Sequence, residues 1–291
     1  MTLMPDRMLG SQLEYAQALV DRDDHAKATE VCRHILAAFP RCAGAYGILA
    51  EATLLGGQPA RAEELWARVL SVDPQSTGAA LGMALVQEGR GQRQRALGWL
   101  ERAWECAAEG DRDTHVALWS RAEMIGYVPA LSLSRAGLAN TMLRAGMFSQ
   151  ACSELKAALT EAPERDDLNV GLAVASYRSG DIPTAQAICS VLLERLPDCL
   201  KALLIAGQLG LGTEVDAWAR QALRRAQTLD PQNQVAQSLF GEGSPLPPRA
   251  ARLPFGGPDD TLALTFPDML DGGYDDEGDE EGMPPRLDSI L

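Results

Sequence analysis

From residue 9 to residue 233, apolar residues recur at steps of three and four, the spacing of a buried stripe on a helix. Two stripes fall in each period, the interval that separates Pro40 from Pro74. The first is centred on a small column, Ala16, Ala50, Ala84, Ala139, Ala173 and Gly207. A mostly bulkier column precedes it: Tyr15, Leu49, Met83, Leu138, Leu172 and Ala206. The second stripe starts at Ala28, Ala62, Ala96, Ala151, Ala185 and Ala219. Four positions later come Cys32, Trp66, Leu100, Leu155, Cys189 and Leu223, and three later again Ile35, Val69, Ala103, Ala158, Leu192 and Ala226.

These columns predict a stack of helix pairs. Small residues let two helices approach, and large ones beside them fill the remaining gap. Gly56-Gly57, Gly89, Gly146 and Gly180 fall between the stripes, where the chain must turn. Pro40, Pro74, Pro163, Pro197 and Pro231 fall where the second helix must stop. One pair cannot bury its own stripe, so neighbours must stack.

On these residues the chain resembles the tetratricopeptide repeat (TPR) family. The period is 34, the small columns are in place, and Asp73-Pro74 and Asp230-Pro231 supply the terminal Asp-Pro. Residues 43–76 carry the resemblance best, through Tyr46, Leu49, Ala50, Ala62, Trp66 and Pro74. The resemblance implies an all-α, right-handed superhelical solenoid of about six helix pairs, with the first helix of each pair lining a concave groove.

The interval from Pro74 to Pro163 is longer than two periods. The surplus lies at 111–131, after repeats 1–3 (9–110) and before repeats 4–6 with a capping segment (132–240). Residues 114–126 read as a short helix capped by Asp113 or Thr114, with Val116, Leu118, Trp119, Ala122 and Ile125 as its apolar side. Two readings stay open. The insert is a loop with a helical turn that plugs a gap, or a hinge that divides the array into two sets of three.

Charge narrows the partners. The formal net charge is −14, and residues 241–291 hold 12 acidic and 3 basic side chains. Neither part offers the basic surface that nucleic acid or an anionic membrane requires. No apolar run is long enough to insert in a membrane. The start, Met1 to Gly10, has no apolar signal core, so the expected location is cytoplasmic.

No catalytic, cofactor or metal site emerges. The six cysteines, Cys32, Cys42, Cys106, Cys152, Cys189 and Cys199, form no C-x-x-C pair and read as reduced. His25, His34 and His115 share no metal-ligand spacing. No phosphate-binding loop or nucleophile elbow is present. The expectation is a protein that is not an enzyme and uses no cofactor.

The resemblance makes the outward residues of the first helices the candidate groove. In repeats 1–3 these are Gly10, Leu13 and Gln17, then Gly44, Gly47, Glu51 and Leu54, then Gly78, Leu81 and Leu85. The glycines serve close helix packing or an early helix start, or leave room for a partner's backbone. In repeats 4–6 the candidates are Asn140 and Arg144, then Val170, Val174, Tyr177 and Arg178, then Lys201, Leu204 and Gln208, with Ala136 and Leu143 beside them. That apolar floor with hydrogen-bonding and cationic groups suits a peptide with apolar anchors and some acid. Relatives that clamp a chaperone's C-terminal carboxylate use two Lys, two Asn and one Arg. Asn140 and Lys201 match two of them, but Ala136, Gly171 and Ile205 replace the others.

Beyond Phe240 the periodicity ends. Residues 241–258 read as a Gly/Pro-rich linker and 275–281 as an acidic run, so 241–291 is expected to be a disordered acidic tail. Leu262, Leu264, Phe266, Met269 and Leu270 form an apolar cluster amid acids, a candidate docking motif for a partner or for the groove near Arg144, Arg178 and Lys201. The tail is otherwise only solubilising. The function expected is a non-catalytic scaffold or adaptor for a protein or peptide partner. Two alternatives are a regulatory sensor or assembly factor whose tail docks on its own groove, and a non-catalytic subunit of an enzyme complex.

Overall fold

The computed structural model describes residues 8–108, 112–125 and 134–254. Among them run α1 (Leu9–Val20), α2 (His25–Ala38), α3 (Ala43–Leu55), α4 (Pro59–Val72), α5 (Thr77–Gly89), α6 (Arg93–Cys106) and α7 (Arg112–Met124). After the break come α8 (Arg135–Arg144), α9 (Phe148–Glu161), α10 (Asp166–Ser179), α11 (Ile182–Arg195), α12 (Leu200–Gly210), α13 (Asp216–Leu229) and α14 (Gln234–Phe240). The molecule is an all-α helical repeat.

The helix ends follow from local chemistry. Asp24, Ser76, Ser134 and Asp181 each accept a backbone N–H of the helix they precede. Pro59 and Pro183 sit in the first turns of α4 and α11, where no N–H partner is lost. Gly57, Gly91, Gly146 and Gly180 turn the chain between paired helices at positive φ.

Every member of both small columns is buried, as are the two larger columns of the second helices. In the bulkier column of the first helices, Tyr15 is exposed and Leu138 half-buried. Where the spacing is tightest only glycine fits. A Cβ on Gly82 would lie 2.2 Å from the Trp66 indole, and one on Gly207 2.8 Å from Leu223.

The insert keeps the register of the repeats. Leu118 stands one full period after Ala84 and packs with Ala122 against Ala80, Ala84, Leu100 and Ala103. Thus α7 stands in the place of a repeat's first helix, and among the described residues the next helix is α8. Val116 and Trp119, expected on its buried side, are exposed instead. The last repeat ends the same way, since α14 begins one period after α12 and buries Ala236 and Leu239 against the second set. Among the described residues the helices form two sets of three pairs, each followed by one single helix.

The two sets do not form one open run. They meet at their inter-repeat corners. Arg41 pairs with Asp198 at 3.5 Å, Asp73 with Lys201 at 3.3 Å, and Glu105 with Arg165 at 2.6 Å. Val72 of the first set is buried inside the core of the second.

Residues 241–254 depart from the linker expected there. The Asn233 side chain donates to Pro247 O at 2.7 Å, and Gln237 holds Leu246 O. The strand-like end then crosses to the first helix, where Leu9 N donates to Ala251 O at 2.9 Å. Ala251 and Leu253 are buried with Leu9, Ile35, Cys42 and Ala45. These alternating apolar residues, not a globular segment, tie the two ends together.

Candidate protein-binding faces

The face of the second set is occupied by the chain itself. Val170, Val174 and Leu204 are buried in the core that also contains Val72. Asn140 is buried, and its Nδ2 donates to the Glu105 carbonyl at 3.0 Å. The Lys201 ammonium donates to Asp73 and to Gln75. These side chains of the groove expected in repeats 4–6 face an apolar and acidic corner supplied by the chain itself. Hydrophobic burial drives it, because an open groove would leave three aliphatic side chains in water.

The far end of this face is filled from the other side. Tyr177 stacks edge-on against Phe240 with ring centroids 5.4 Å apart. Arg178 donates to Leu239 O at 2.8 Å and lies 5.0 Å over the Phe148 ring. A cation at this carbonyl complements the C-terminal dipole of α14. Gln208 is half-buried with its side-chain oxygen unpartnered, and Arg144 is exposed. Arg178 and Lys201, two of the groups expected to receive the tail, are held by Leu239 O and by Asp73 and Gln75. The proposed tail motif, Leu262 to Leu270, lies outside the described residues.

A charged cluster locks the corner next to this face. The Arg165 guanidinium bridges Glu105 and Asp167, and both acids are buried. Ser134 donates to the same Glu105. The neighbouring carboxylates raise Arg165's affinity for its proton against the opposing effect of burial, which is the largest single influence. Sequence reading missed Val72, Asp73, Gln75, Glu105 and Arg165. The one signal available was that Arg165 and Lys201 stand at the starts of first helices.

The face of the first set is different. Leu13, Gln17, Gly47, Glu51, Leu54, Leu81 and Leu85 are all half-buried, and Gly44 and Gly78 are exposed. A Cβ on Gly78 would meet nothing within 4 Å, and one on Gly47 only the Trp66 ring at 4.0 Å. Gly10 instead packs on Gln232, so its small size serves the junction with the second set. Gln17 donates to Glu51 at 3.1 Å, linking α1 to α3, and Arg121 pairs with Glu88 at 3.1 Å, linking α7 to α5. Helix α7 thereby extends this face by one helix.

The reactive side chains are structural in their surroundings. Burial pushes the Cys32 and Cys106 thiols up to about 12 and the Cys199 thiol up to about 11, which suppresses the thiolate. His115 packs edge-on against Trp104. Among the described residues, no three His, Cys, Asp or Glu side chains converge to hold a metal ion, and no helix is long and apolar enough to cross a membrane.

Residues 135–207 match the tetratricopeptide repeat family model. No curated protein matches the chain. Among solved structures, the P58(IPK) TPR domain is 18% identical with a TM-score of 0.34. That match covers 78% of this chain and 61% of the other, so the chain spans less than two thirds of that protein's length. A tetratricopeptide repeat protein from Parabacteroides merdae is 15% identical with a TM-score of 0.37, covering 79% of this chain and 96% of its own. YrrB, described as a TPR protein with an unusual peptide-binding site, is 16% identical with a TM-score of 0.31, covering 72% and 97%.

Proposed function

We infer that this chain, a tetratricopeptide repeat protein, is a non-catalytic scaffold that binds a protein partner on the concave face of its first three repeats. Proteins of this fold generally mediate protein–protein interaction. The observation that carries the reading is the contrast between the two faces. The second is filled by Val72, Asp73, Gln75, Leu239 and Phe240, while the first keeps open space at Gly78 and, at Gly47, no neighbour nearer than the Trp66 ring at 4.0 Å. Leucines at 54, 81 and 85 flank that space and are half-buried. Such a floor suits a segment whose backbone approaches the glycines and whose apolar side chains rest on the leucines.

Peptides selected from a random displayed library against the full chain test this. Binding is expected to fall at least about tenfold in Gly47→Leu and Gly78→Leu, a loss of about 1.4 kcal/mol. The exposed Val191→Ser in α11 is the control, and binding there is expected to stay unchanged. Peptides indifferent to both glycine substitutions would refute the assignment.

A further inference from the structure

The first set carries a second concavity on its opposite side, a cleft of about 510 Å³ between α2 and α4. Leu49, Ala52 and Gly56 line it, and His25, Arg33 and Arg61 stand around it with Glu30 as the one acid. Arg33 and Arg61 make no ion pair among the described residues. His25 Nδ1 is buried without a hydrogen-bond partner. An apolar floor flanked by two arginines without ion pairs calls for an occupant with apolar side chains and carboxylates, while the other His25 nitrogen, Nε2, lies 3.8 Å from Asp23.

The chain supplies one. Its described part ends at Pro254, beside Leu253, which is buried against Leu9 and Ile35. Ile35 and Arg33 belong to the same helix, Ile35 on its buried face and Arg33 on its exposed one, so the described chain ends beside the helix that borders the cleft. The remainder, 255–291, holds 11 acidic side chains and 1 basic one. Five residues from Pro254 reach Asp259 and span about 16–18 Å when extended. From there, residues 259–271 combine Leu262, Leu264, Phe266, Met269 and Leu270 with four aspartates.

We propose that residues 259–271 dock in the α2/α4 cleft of their own chain, with leucines on the apolar floor and aspartates at Arg33 and Arg61. The short tether holds the segment at an effective concentration on the order of mM, so modest contacts suffice. This surface is distinct from the concave face, and the two assignments stand or fall separately.

Zero-length carbodiimide coupling on the full chain tests the docking. The substitutions Arg33→Lys and Arg61→Lys place amines at the cleft while keeping its charge, and exposed Lys156 on α9 is an internal control. Peptide mass spectrometry is expected to find cleft amines joined to Asp259, Asp260, Asp268 or Asp271 at least about tenfold more often than Lys156 is. Mixing isotopically heavy and light chains is expected to give links within one copy. Equal yields at cleft and control, or no links to 259–271, would overturn the proposal. Links only between heavy and light copies would overturn it in favour of exchange between two chains.

Discussion

Lys201 reaches across the molecule to Gln75, its ammonium donating to the side-chain oxygen at 2.8 Å although the two stand 126 positions apart in the chain. The same ammonium lies 3.3 Å from Asp73, and Val72 beside them is buried in the second set. The polar part is partly solvated and the apolar part is not. Val72→Ala is therefore expected to destabilise the fold by roughly 1–3 kcal/mol. Lys201→Met is expected to cost less than about 1 kcal/mol. Urea denaturation of the two variants checks the order, and a larger loss for Lys201→Met would show that charge holds the corner.

Arg165 and Arg195 stand at opposite ends of the scale for ion pairs. The side chain of Arg165 is 15% exposed between buried Glu105 and Asp167, whereas Arg195 is 41% exposed beside Asp166. Removing Arg165 strands two carboxylates away from water. Arg165→Met is expected to cost about 3 kcal/mol or more, and Arg195→Met about 1 kcal/mol or less. Chemical denaturation of both variants is the measurement.

What the sequence made legible was the interior of each repeat. Ala62, Trp66 and Val69 stand where their columns require, because helix periodicity depends on residues a few positions apart. The closure of one set on the other was not legible. It is built from Asp73, which reads as part of a repeat-ending Asp-Pro, from Lys201, which reads as a groove cation, and from Val72, Glu105 and Arg165, which no pattern singles out. Arg165 stands 60 positions from Glu105 and Lys201 128 from Asp73, separations that leave no periodic trace. The crossing of 249–253 over α1 was hidden for the same reason: Ala251 and Leu253 are two apolar residues amid prolines and arginines, too few to signal a periodic element.

The glycines of the first set divide by what lies beside them, and alanine substitutions expose the difference. At Gly82 a Cβ would collide with the Trp66 indole at 2.2 Å, so Gly82→Ala is expected to destabilise by about 1–3 kcal/mol. At Gly47 the nearest contact is 4.0 Å, and Gly47→Ala is expected to stabilise α3 by roughly 0.5–1 kcal/mol. Thermal and urea midpoints moving in opposite directions check this. A destabilised Gly47→Ala would show that the Trp66 ring cannot accommodate the added methyl group.

The buried thiols set a limit on alkaline stability. Burial raises Cys199 to about 11 and Cys32 and Cys106 to about 12, against 9.0 for an unhindered thiol. Between pH 9 and 11 the unfolded chain loses these protons while the folded chain keeps them. The folded state then binds more protons, so its stability falls as pH rises, by about 1.4 kcal/mol per pH unit for each such thiol. The contribution is fully present below pH 9 and fades as the folded value is approached. Urea midpoints at pH 8, 9.5 and 10.5 are expected to decline, and Cys199→Ala to make the decline shallower by one thiol's share. An identical slope in that variant would mean that Cys199 ionises as readily folded as unfolded, and that the core formed by α10, α11 and α12 admits water.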